Sequence, residues 1–240
     1  ANARTTGFKR REATFEDMYS TAISTPTGDR IGIGVRTPEI RMIQTQGNLQ
    51  MTDDVLDLAV EGEGMFTLLN ELKPTSPFYT RDGSFSVNLD GTIVNREGYS
   101  LLSSENQPIK IPLTSTGILT ASGFQEFKQE KKLTAVSVLK NGNIEATYGG
   151  TNIVSVGKVG LSKFSDPNRL KPIGSNLFLS SLASGTGVIG EPTVDGLGKI
   201  HSGSLEMANT DITQELSNMI KAQQAFSGAS RLLQSEAEMV

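Results

Sequence analysis

One histidine, His201, is the only imidazole that the 240-residue sequence offers for acid–base chemistry. Asp195 lies shortly before it, and Ser202 and Ser204 follow it, so the residue types of a hydrolytic triad occur close together. The G-x-S-x-G turn that often presents such a serine surrounds neither of the two. A metal site built from several histidines of one chain is excluded. We therefore interpret His201 as a structural residue.

Two other patterns could hold a small ligand. Residues 185–190 read Gly-Thr-Gly-Val-Ile-Gly and match the G-x-G-x-x-G fingerprint, which requires a strand before it and a helix after it to bind a dinucleotide. Pro192 opposes such a helix, so we predict a loop. Asp53, Asp54 and Asp57 could contact a cation, but their spacing is not that of an EF-hand, and we predict a solvated loop leading into a strand.

The composition excludes several functional classes. The sequence contains no cysteine, which rules out disulfides, cysteine-bound zinc and a thiol nucleophile. Its formal net charge is −4, whereas a nucleic-acid-binding protein usually presents a basic surface. No apolar run reaches the roughly 18 residues that a transmembrane helix requires. We therefore predict no cofactor, no metal, no nucleic-acid partner and no direct insertion into a membrane.

Turn residues at regular intervals predict antiparallel strands through the middle of the chain. Between residues 78 and 102, three Asp-Gly or Glu-Gly pairs separate short segments of alternating apolar residues. Asp-Gly pairs favour the positive φ angles of tight hairpin turns, so this region predicts a meander. A further hairpin is predicted around Asn141-Gly142, and short strands are predicted among the loops of residues 165–200.

The N-terminal region is predicted to combine a short helix with an extended stretch. Phe15, Met18 and Tyr19 have the i, i+3, i+4 spacing of an amphipathic helix. Apolar residues then alternate with glycine and arginine from Ile31 to Val35, which is typical of a strand. The extended pattern continues to about residue 50.

The last thirty residues predict a long helix that carries an apolar stripe. The steps along the stripe alternate between four and three residues, at Ile212, Leu216, Met219, Gln223, Phe226, Ser230, Leu233 and Ala237. The mean step of about 3.5 residues is that of a coiled coil, with Gln223 and Ser230 as polar interruptions. Such a helix needs a partner to cover its stripe. Periodicity alone leaves two partners open, the chain's own β-rich body or other helices.

Three groups of residues form longer motifs. They are Ala1-Asn2-Ala3 through Thr6-Gly7-Phe8-Lys9-Arg10 with Phe15-Glu16-Asp17; Gly32-Ile33-Gly34-Val35 through Gln46-Gly47-Asn48-Leu49, Leu58-Ala59-Val60-Glu61-Gly62-Glu63-Gly64-Met65-Phe66 and Tyr79-Thr80-Arg81-Asp82-Gly83-Ser84-Phe85 with Gly98-Tyr99; and Asn209-Thr210-Asp211-Ile212 with Glu215-Leu216, Asn218-Met219-Ile220 and Gln223-Gln224-Ala225-Phe226. In this order they resemble the axial proteins of the bacterial flagellar rod and hook, most closely the distal-rod members. The motifs cover about half of the chain.

The resemblance implies an α+β fold with a mainly antiparallel β outer domain plus a long terminal coiled-coil-like helix. Both chain ends would form an inner helical layer. It further implies a connecting segment over 1–60, the outer domain over 61–204, and over 205–240 a C-terminal helix that packs with the N-terminal segment. Subunits of this family would stack into a helical hollow tube around an export channel.

The resemblance also assigns roles to residues and partners. Packing between subunits is expected for the inner-helix residues Ile212, Leu216, Met219, Ile220, Gln223, Phe226 and Leu233. The stretch that connects neighbouring subunits is expected to include Phe8, Phe15, Met18, Tyr19, Ile31 and Val35. The implied partners are other copies of the chain in a helical filament, proximal rod and hook subunits, and the ring proteins around the rod. The implied place is the rod that spans the periplasm, and the implied role is structural, with no catalytic residue.

Three other interpretations stay open on the sequence. A proximal rod or hook protein of the same family shares the motifs, although 240 residues leave little room for the additional outer domain of a hook protein. A secreted β-rich binding module would account for the hairpins but not for the terminal stripe. An enzyme would depend on His201.

Overall fold

Antiparallel strands and one long C-terminal helix make up most of the part of the chain that the computed structural model describes, residues 2–13, 16–24, 30–36, 40–70, 73–120 and 123–238. The elements are β1 (Arg11–Ala13), β2 (Glu16–Ser24), β3 (Arg30–Arg36), β4 (Ile40–Met42), β5 (Leu49–Met51), β6 (Leu58–Glu61), β7 (Met65–Asn70), β8 (Lys73–Thr80), β9 (Ser86–Val87), β10 (Ile93–Val94), β11 (Ser100–Leu101), β12 (Thr114–Thr120), β13 (Gly123–Val138), β14 (Asn143–Tyr148), β15 (Asn152–Lys158), β16 (Leu161–Lys163), a 3₁₀ turn (Pro167–Arg169), β17 (Lys171–Gly174), β18 (Leu177–Leu179), β19 (Val188–Gly190), β20 (Lys199–Ser202), β21 (Ser204–Glu206) and α1 (Ile212–Glu238).

The largest sheet has the strand order β17-β18-β8-β7-β11-β10-β9, and β16 pairs with both β7 and β19. Its hairpins β9–β10 and β10–β11 turn at Gly91 and Gly98, with φ angles of +78° and +82°. Glycine adopts this left-handed conformation without the steric cost of a Cβ atom. The predicted meander is confirmed from β9 to β11, whereas no hairpin forms at Asp82-Gly83, since β8 pairs with β7 and β18 and not with β9.

A second sheet has the order β12-β13-β14-β15, with the β13–β14 hairpin at the predicted Asn141-Gly142 turn. In β14 the alternating residues Ile144, Ala146 and Tyr148 are buried. Side chains of successive strand residues point to opposite faces, so this alternation places one face of the sheet on the core.

The two sheets share one hydrophobic core. Phe66 and Leu101 of the first sheet and Ile144 of the second belong to the same cluster of buried side chains. Phe66 also packs edge-on against Phe85, with 5.2 Å between the ring centroids. Since each fully buried side chain of this size contributes about 1.5–3 kcal/mol, this shared cluster stabilises the body.

The predicted short helix near the N-terminus is wrong. Met18 and Tyr19 lie in the strand β2, which pairs antiparallel with β3. Three apolar residues with i, i+3, i+4 spacing span only about one helical turn. They therefore favour a helix over a strand only weakly. Pairing with β3, whose alternation from Ile31 to Val35 predicts a strand, favours the extended form. Phe15 lies outside the described residues.

The inner helical layer from both chain ends is not confirmed. Among the described residues, the N-terminal end forms turns over residues 2–7 and then β1, which pairs with β4, and only the C-terminal end is helical. The main chain there is tied to the body, since Ile43 N donates to Arg10 O and Gly7 N donates to Glu206 O. A mainly antiparallel β body with one long C-terminal helix is confirmed for the described part of the chain.

Gly83 lies where two segments of main chain approach closely. A Cβ atom on this residue would stand 1.6 Å from Leu58 O. We expect Gly83→Ala to lower the free energy of unfolding by about 3 kcal/mol, because the backbone must move apart. Gly157→Ala is the matched control, since its nearest contact would be 3.8 Å away, and a change within about 0.5 kcal/mol is expected. Denaturant unfolding checks both values, and equal effects of the two substitutions would contradict the close approach.

Candidate functional site

The helix α1 is uncovered by the body of the chain. The apolar side chains of its stripe stand in solvent, with exposed fractions of 50% for Leu216, 60% for Met219 and 78% for Phe226. Ile212 and Ile220 are exposed to a similar degree. For these side chains, the alternative that the stripe packs against the chain's own body is therefore wrong. No helix of the described residues combines the length and apolar character needed to cross a bilayer.

Two further residues of the predicted stripe are Gln223 and Leu233. Gln223 is exposed like its neighbours. The side chain of Leu233 lies outside the described residues, and only its place in the helix is described. The helix is 27 residues long and therefore extends about 40 Å.

The first turn of α1 is capped by Asp211. The Asp211 carboxylate accepts a hydrogen bond from Thr213 N at 2.8 Å and a longer one from Gln214 N at 3.5 Å. An aspartate at this position satisfies amide groups that the first turn leaves unpaired and adds a favourable charge at the positive end of the helix dipole. The helix thus has a defined start just outside the body.

A buried carboxylate, that of Glu206, lies at the end of β21, shortly before this cap. Lys9 Nζ donates to Glu206 Oε1 at 2.5 Å, Gly47 N donates to the same oxygen at 2.9 Å, and Arg81 Nη1 donates to Oε2 at 3.2 Å. The side chains of Lys9 and Glu206 are both completely buried. We call Lys9, Gly47, Arg81 and Glu206 the junction.

The junction joins segments that are far apart in the chain. Lys9 and Glu206 are 197 residues apart. Arg81 also donates to Val60 O and Gly62 O, at 3.3 and 2.7 Å, so its guanidinium group ties the β6 region to the same carboxylate. One charged group therefore fixes three distant segments immediately before α1.

The electrostatics of the junction depend on Glu206. Burial lowers the pKa of the Lys9 ammonium group, and the Glu206 carboxylate opposes that shift. Burial likewise lowers the pKa of the Arg81 guanidinium, again opposed by Glu206. A buried charge is costly unless it is paired and hydrogen-bonded. Two buried cations thus share Glu206 as their counter-ion within the junction.

Asn209 adds a second set of bonds on the helix side of the junction. Its side-chain amide donates to Ile43 O at 2.7 Å and to Thr45 O at 3.1 Å, and its Oδ1 accepts from Arg10 N at 2.7 Å. Arg10 also forms an exposed ion pair with Glu215 in the first turn of α1, at 3.4 Å. The N-terminal segment therefore meets the base of the helix, although those of its residues that the structure describes form no helix.

The connecting-stretch residues are brought together only in part. Phe8 is half-buried beside the junction, where its carbonyl accepts a 3.4 Å hydrogen bond from Asn209 N. Met18 and Tyr19 lie opposite Gly34 and Gly32 across the β2–β3 ladder. Within the described part of the chain, β2 and β3 form a two-stranded sheet of their own.

Two more of these residues belong to the same hairpin. Val35 pairs with Asp17, and Ile31 lies in the same strand, β3. The structure does not describe the side chains of this hairpin. Its contact with neighbouring subunits therefore stays a prediction.

Sequence reasoning missed Glu206. A single glutamate at the end of a strand carries no periodic or spacing signal. A signal did exist in the motifs, because Lys9 belongs to the first, Gly47 and Arg81 to the second, and Asn209 to the third. The structure brings all three motifs together at the base of α1.

The residues considered for chemistry lie elsewhere and do not form a catalytic arrangement. His201 Nε2 lies 2.5 Å from Glu61 Oε2, whereas Ser202 Oγ donates to Val55 O. Hydrogen bonds from Lys199 and His201 lower the pKa of the exposed Glu61 carboxyl. This is a surface ion cluster on β6 and β20.

The loop predicted over residues 185–190 is wrong for the second half of this glycine-rich pattern, which forms a strand. Its last three residues form β19, which pairs with β16, and no helix begins after Gly190 in the way a dinucleotide site requires. Among the described residues, no group of three acidic, histidine or cysteine side chains is arranged to hold a metal ion.

The chain is similar to known flagellar proteins over its full length. Residues 59–146 match the family described as flagellar hook protein FlgE/F/G D1 domain, and residues 201–240 match the flagellar basal body rod FlgEFG protein C-terminal family. The flagellar basal-body rod protein FlgG of Agrobacterium fabrum is 33% identical, covering 100% of this chain and 87% of the relative. FlgG of Bacillus subtilis is 31% identical with the same coverage.

A further relative is more distant. The flagellar hook-basal body complex protein FlhP of Bacillus subtilis is 25% identical over 97% of this chain and 85% of its own length. The resemblance inferred from the three motifs is confirmed by these similarities. The terminal helix is uncovered in this structure, and the three motifs meet at its base. The chain belongs to the FlgG family of flagellar basal-body rod proteins.

Proposed function

We infer that this chain is a structural subunit of the flagellar basal-body rod, in its distal part. Similarity to FlgG proteins from several bacteria over the full chain supports this function, and the exposed helix α1 is the observation that carries it. A 27-residue helix with an uncovered apolar stripe is stable in water only where other surfaces cover that stripe. An assembling subunit supplies such surfaces.

The assembly we propose is a helical hollow tube. The region 205–240 forms its inner layer, the β-rich region 61–204 faces outward, and the segment 1–60 connects neighbouring subunits through the β2–β3 hairpin. Heterologous contacts that do not close into a ring generate open helical filaments. Such a tube would transmit motor torque to the hook and enclose the export channel.

The proposed partners are further copies of this chain, the proximal rod and hook subunits at the two ends, and the ring proteins around the rod. This role is non-enzymatic. It requires stable contacts and no catalytic group, in keeping with a His201 that pairs with Glu61 on the surface.

Two alternatives receive less support. The matches at 31–33% identity are to FlgG rod proteins, which favours a distal rod subunit over a proximal rod or hook protein. A secreted β-rich binding module gives no reason for the exposed stripe on α1.

Deleting the gene for this chain in its source bacterium tests the function. We expect basal bodies with short rods and no hooks in negative-stain electron micrographs, because later subunits have no distal rod to extend. Expression of the intact chain from a plasmid is the control and restores the hooks. Complete hooks in the deletion strain would contradict the proposal.

A further inference from the structure

The β2–β3 hairpin is flanked in the sequence by the two strands of a shorter ladder. β1 precedes the hairpin, β4 follows it, and the two strands pair antiparallel with Arg11 opposite Met42 and Ala13 opposite Ile40. We call the β1–β4 ladder the stem. Both ends of the hairpin continue into the stem, so a residue that holds the open end of the stem also holds the root of the hairpin.

The side-chain amide of Asn209 lies at the open end of the stem. In a hydrogen-bonded antiparallel pair, the two opposite residues exchange both main-chain hydrogen bonds. Arg10 and Ile43 form one of these bonds, since Ile43 N donates to Arg10 O at 2.8 Å. Asn209 bridges the other two groups, because its Oδ1 accepts from Arg10 N and its Nδ2 donates to Ile43 O, both at 2.7 Å. One amide therefore completes the last pair of the stem.

The chemistry of this bridge is specific to a carboxamide. A carboxamide carries an acceptor oxygen and two donor hydrogens on adjacent atoms. Asn209 uses all of them, since Nδ2 also donates to Thr45 O at 3.1 Å. An aspartate would keep the acceptor for Arg10 N, but it would turn a second oxygen toward the carbonyl groups of Ile43 and Thr45.

Asn209 also stands directly before α1. Only Thr210 and Asp211 separate it from Ile212, the first residue of the helix, and two residues reach at most about 7 Å. Asp211 is itself fixed as the cap of the first turn. The chain between the stem and α1 is therefore too short for the helix to change direction freely while Asn209 keeps its bonds.

We propose that Asn209 is a positioning residue that fixes the direction of α1 relative to the β2–β3 hairpin. These are the two elements that the proposed function assigns to contacts with neighbouring copies, and the use of the coupling in assembly rests on that function. A copy held by its hairpin then presents α1 in one direction. A regular helical array requires this uniformity, because it repeats the same contact at every subunit.

Pulsed electron paramagnetic resonance measures the coupling in the purified full chain, which has no natural cysteine to take up a label. Spin labels are attached at Glu12→Cys in the stem and at Asn218→Cys in α1, both exposed positions. We expect one narrow distribution of distances between the labels. Asn209→Ala and Asn209→Asp should each widen it by about twofold or more, because α1 then samples several directions.

Asn95→Ala is the matched control. The Asn95 side chain also bonds through both of its ends, since Oδ1 accepts from Glu97 N and Tyr99 N and Nδ2 donates to Glu97 Oε2. All of these partners lie within four residues, so this variant should leave the distribution narrow. A second label pair, Glu105→Cys with Thr151→Cys on exposed sites of the β-rich body, should give the same distribution in every variant.

Two results would overturn the proposal. The first is an equally narrow stem-to-helix distribution with and without the Asn209 side chain. The second is a widened distribution for the body pair in the Asn209 variants, since Asn209 would then hold the fold of the body and not the direction of α1.

The role of the coupling in assembly has its own readout in cells. Asn209→Ala should give about tenfold fewer hooks than Asn95→Ala, because fewer copies have α1 in the direction that fits the rod. Normal hook numbers together with a widened distribution would overturn this role. That result would leave the proposed function intact, because the deletion strain tests the function separately.

Discussion

Glu206→Gln is expected to lower the free energy of unfolding by about 3–5 kcal/mol, the usual cost of removing one partner from a buried ion pair. The substitution keeps the size of the side chain and removes its charge. Lys9 Nζ and Arg81 Nη1, at 2.5 and 3.2 Å from the carboxylate, are then left as buried cations without their counter-ion. Chemical denaturation of the purified chain at neutral pH measures the loss.

Glu191→Gln is the matched control for this substitution. Glu191 also pairs with a lysine, Lys158, at 2.7 Å, but both side chains are substantially exposed. Exposed pairs contribute at most about 1 kcal/mol, so the control should change little. Equal losses of unfolding free energy in the two variants would show that the junction stabilises the chain no more than an exposed ion pair does. That result would contradict its role in joining the three segments.

The second large effect is expected on assembly and not on folding. Leu216→Glu and Met219→Glu place a charge on an exposed face of α1, so each should leave the free energy of unfolding of the single chain within about 0.5 kcal/mol of its original value. In an assembly that buries these side chains, each substitution removes about 1.5–3 kcal/mol of apolar burial. We expect the affinity of each subunit contact to fall by about tenfold to a hundredfold. Cells that carry either variant should not swim.

Gln224→Glu introduces the same charge on the polar side of the helix. Cells that carry this control should swim and build hooks, whereas the Leu216 and Met219 variants should not. Motility agar and electron microscopy of basal bodies report both outcomes. Normal rods in the Leu216→Glu and Met219→Glu strains would mean that α1 is not a packing surface.

The local pattern predicted much of the fold. The Asn141-Gly142, Asp90-Gly91 and Glu97-Gly98 turns mark hairpins, because positive φ angles are a property of single residues and need no knowledge of the rest of the chain. The helix α1 and its stripe were predicted from helical periodicity, which is likewise a local property of the sequence.

The predictions that failed concern residues whose contacts are distant in sequence. The β2 segment has a helix-compatible spacing, and its pairing with β3 decides in favour of a strand. Glu206 has no local signal, since its meaning lies in Lys9 and Arg81, which come from other parts of the chain. Periodicity also identified the apolar stripe on α1, but it did not identify the surface that packs against the stripe. The exposed fractions of Leu216 and Phe226 show that this surface is not the chain's own β-rich body.

Amide hydrogen exchange of α1 tests the central claim most directly, because it compares one helix in the single chain and in the rod. The claim is that α1 is uncovered in the single chain and covered by other copies in the assembly. Amides of residues 212–231 should exchange rapidly in the dilute monomer, as an isolated helix opens readily. In isolated rods the same amides should be strongly protected. Equal exchange in the two states would contradict the account.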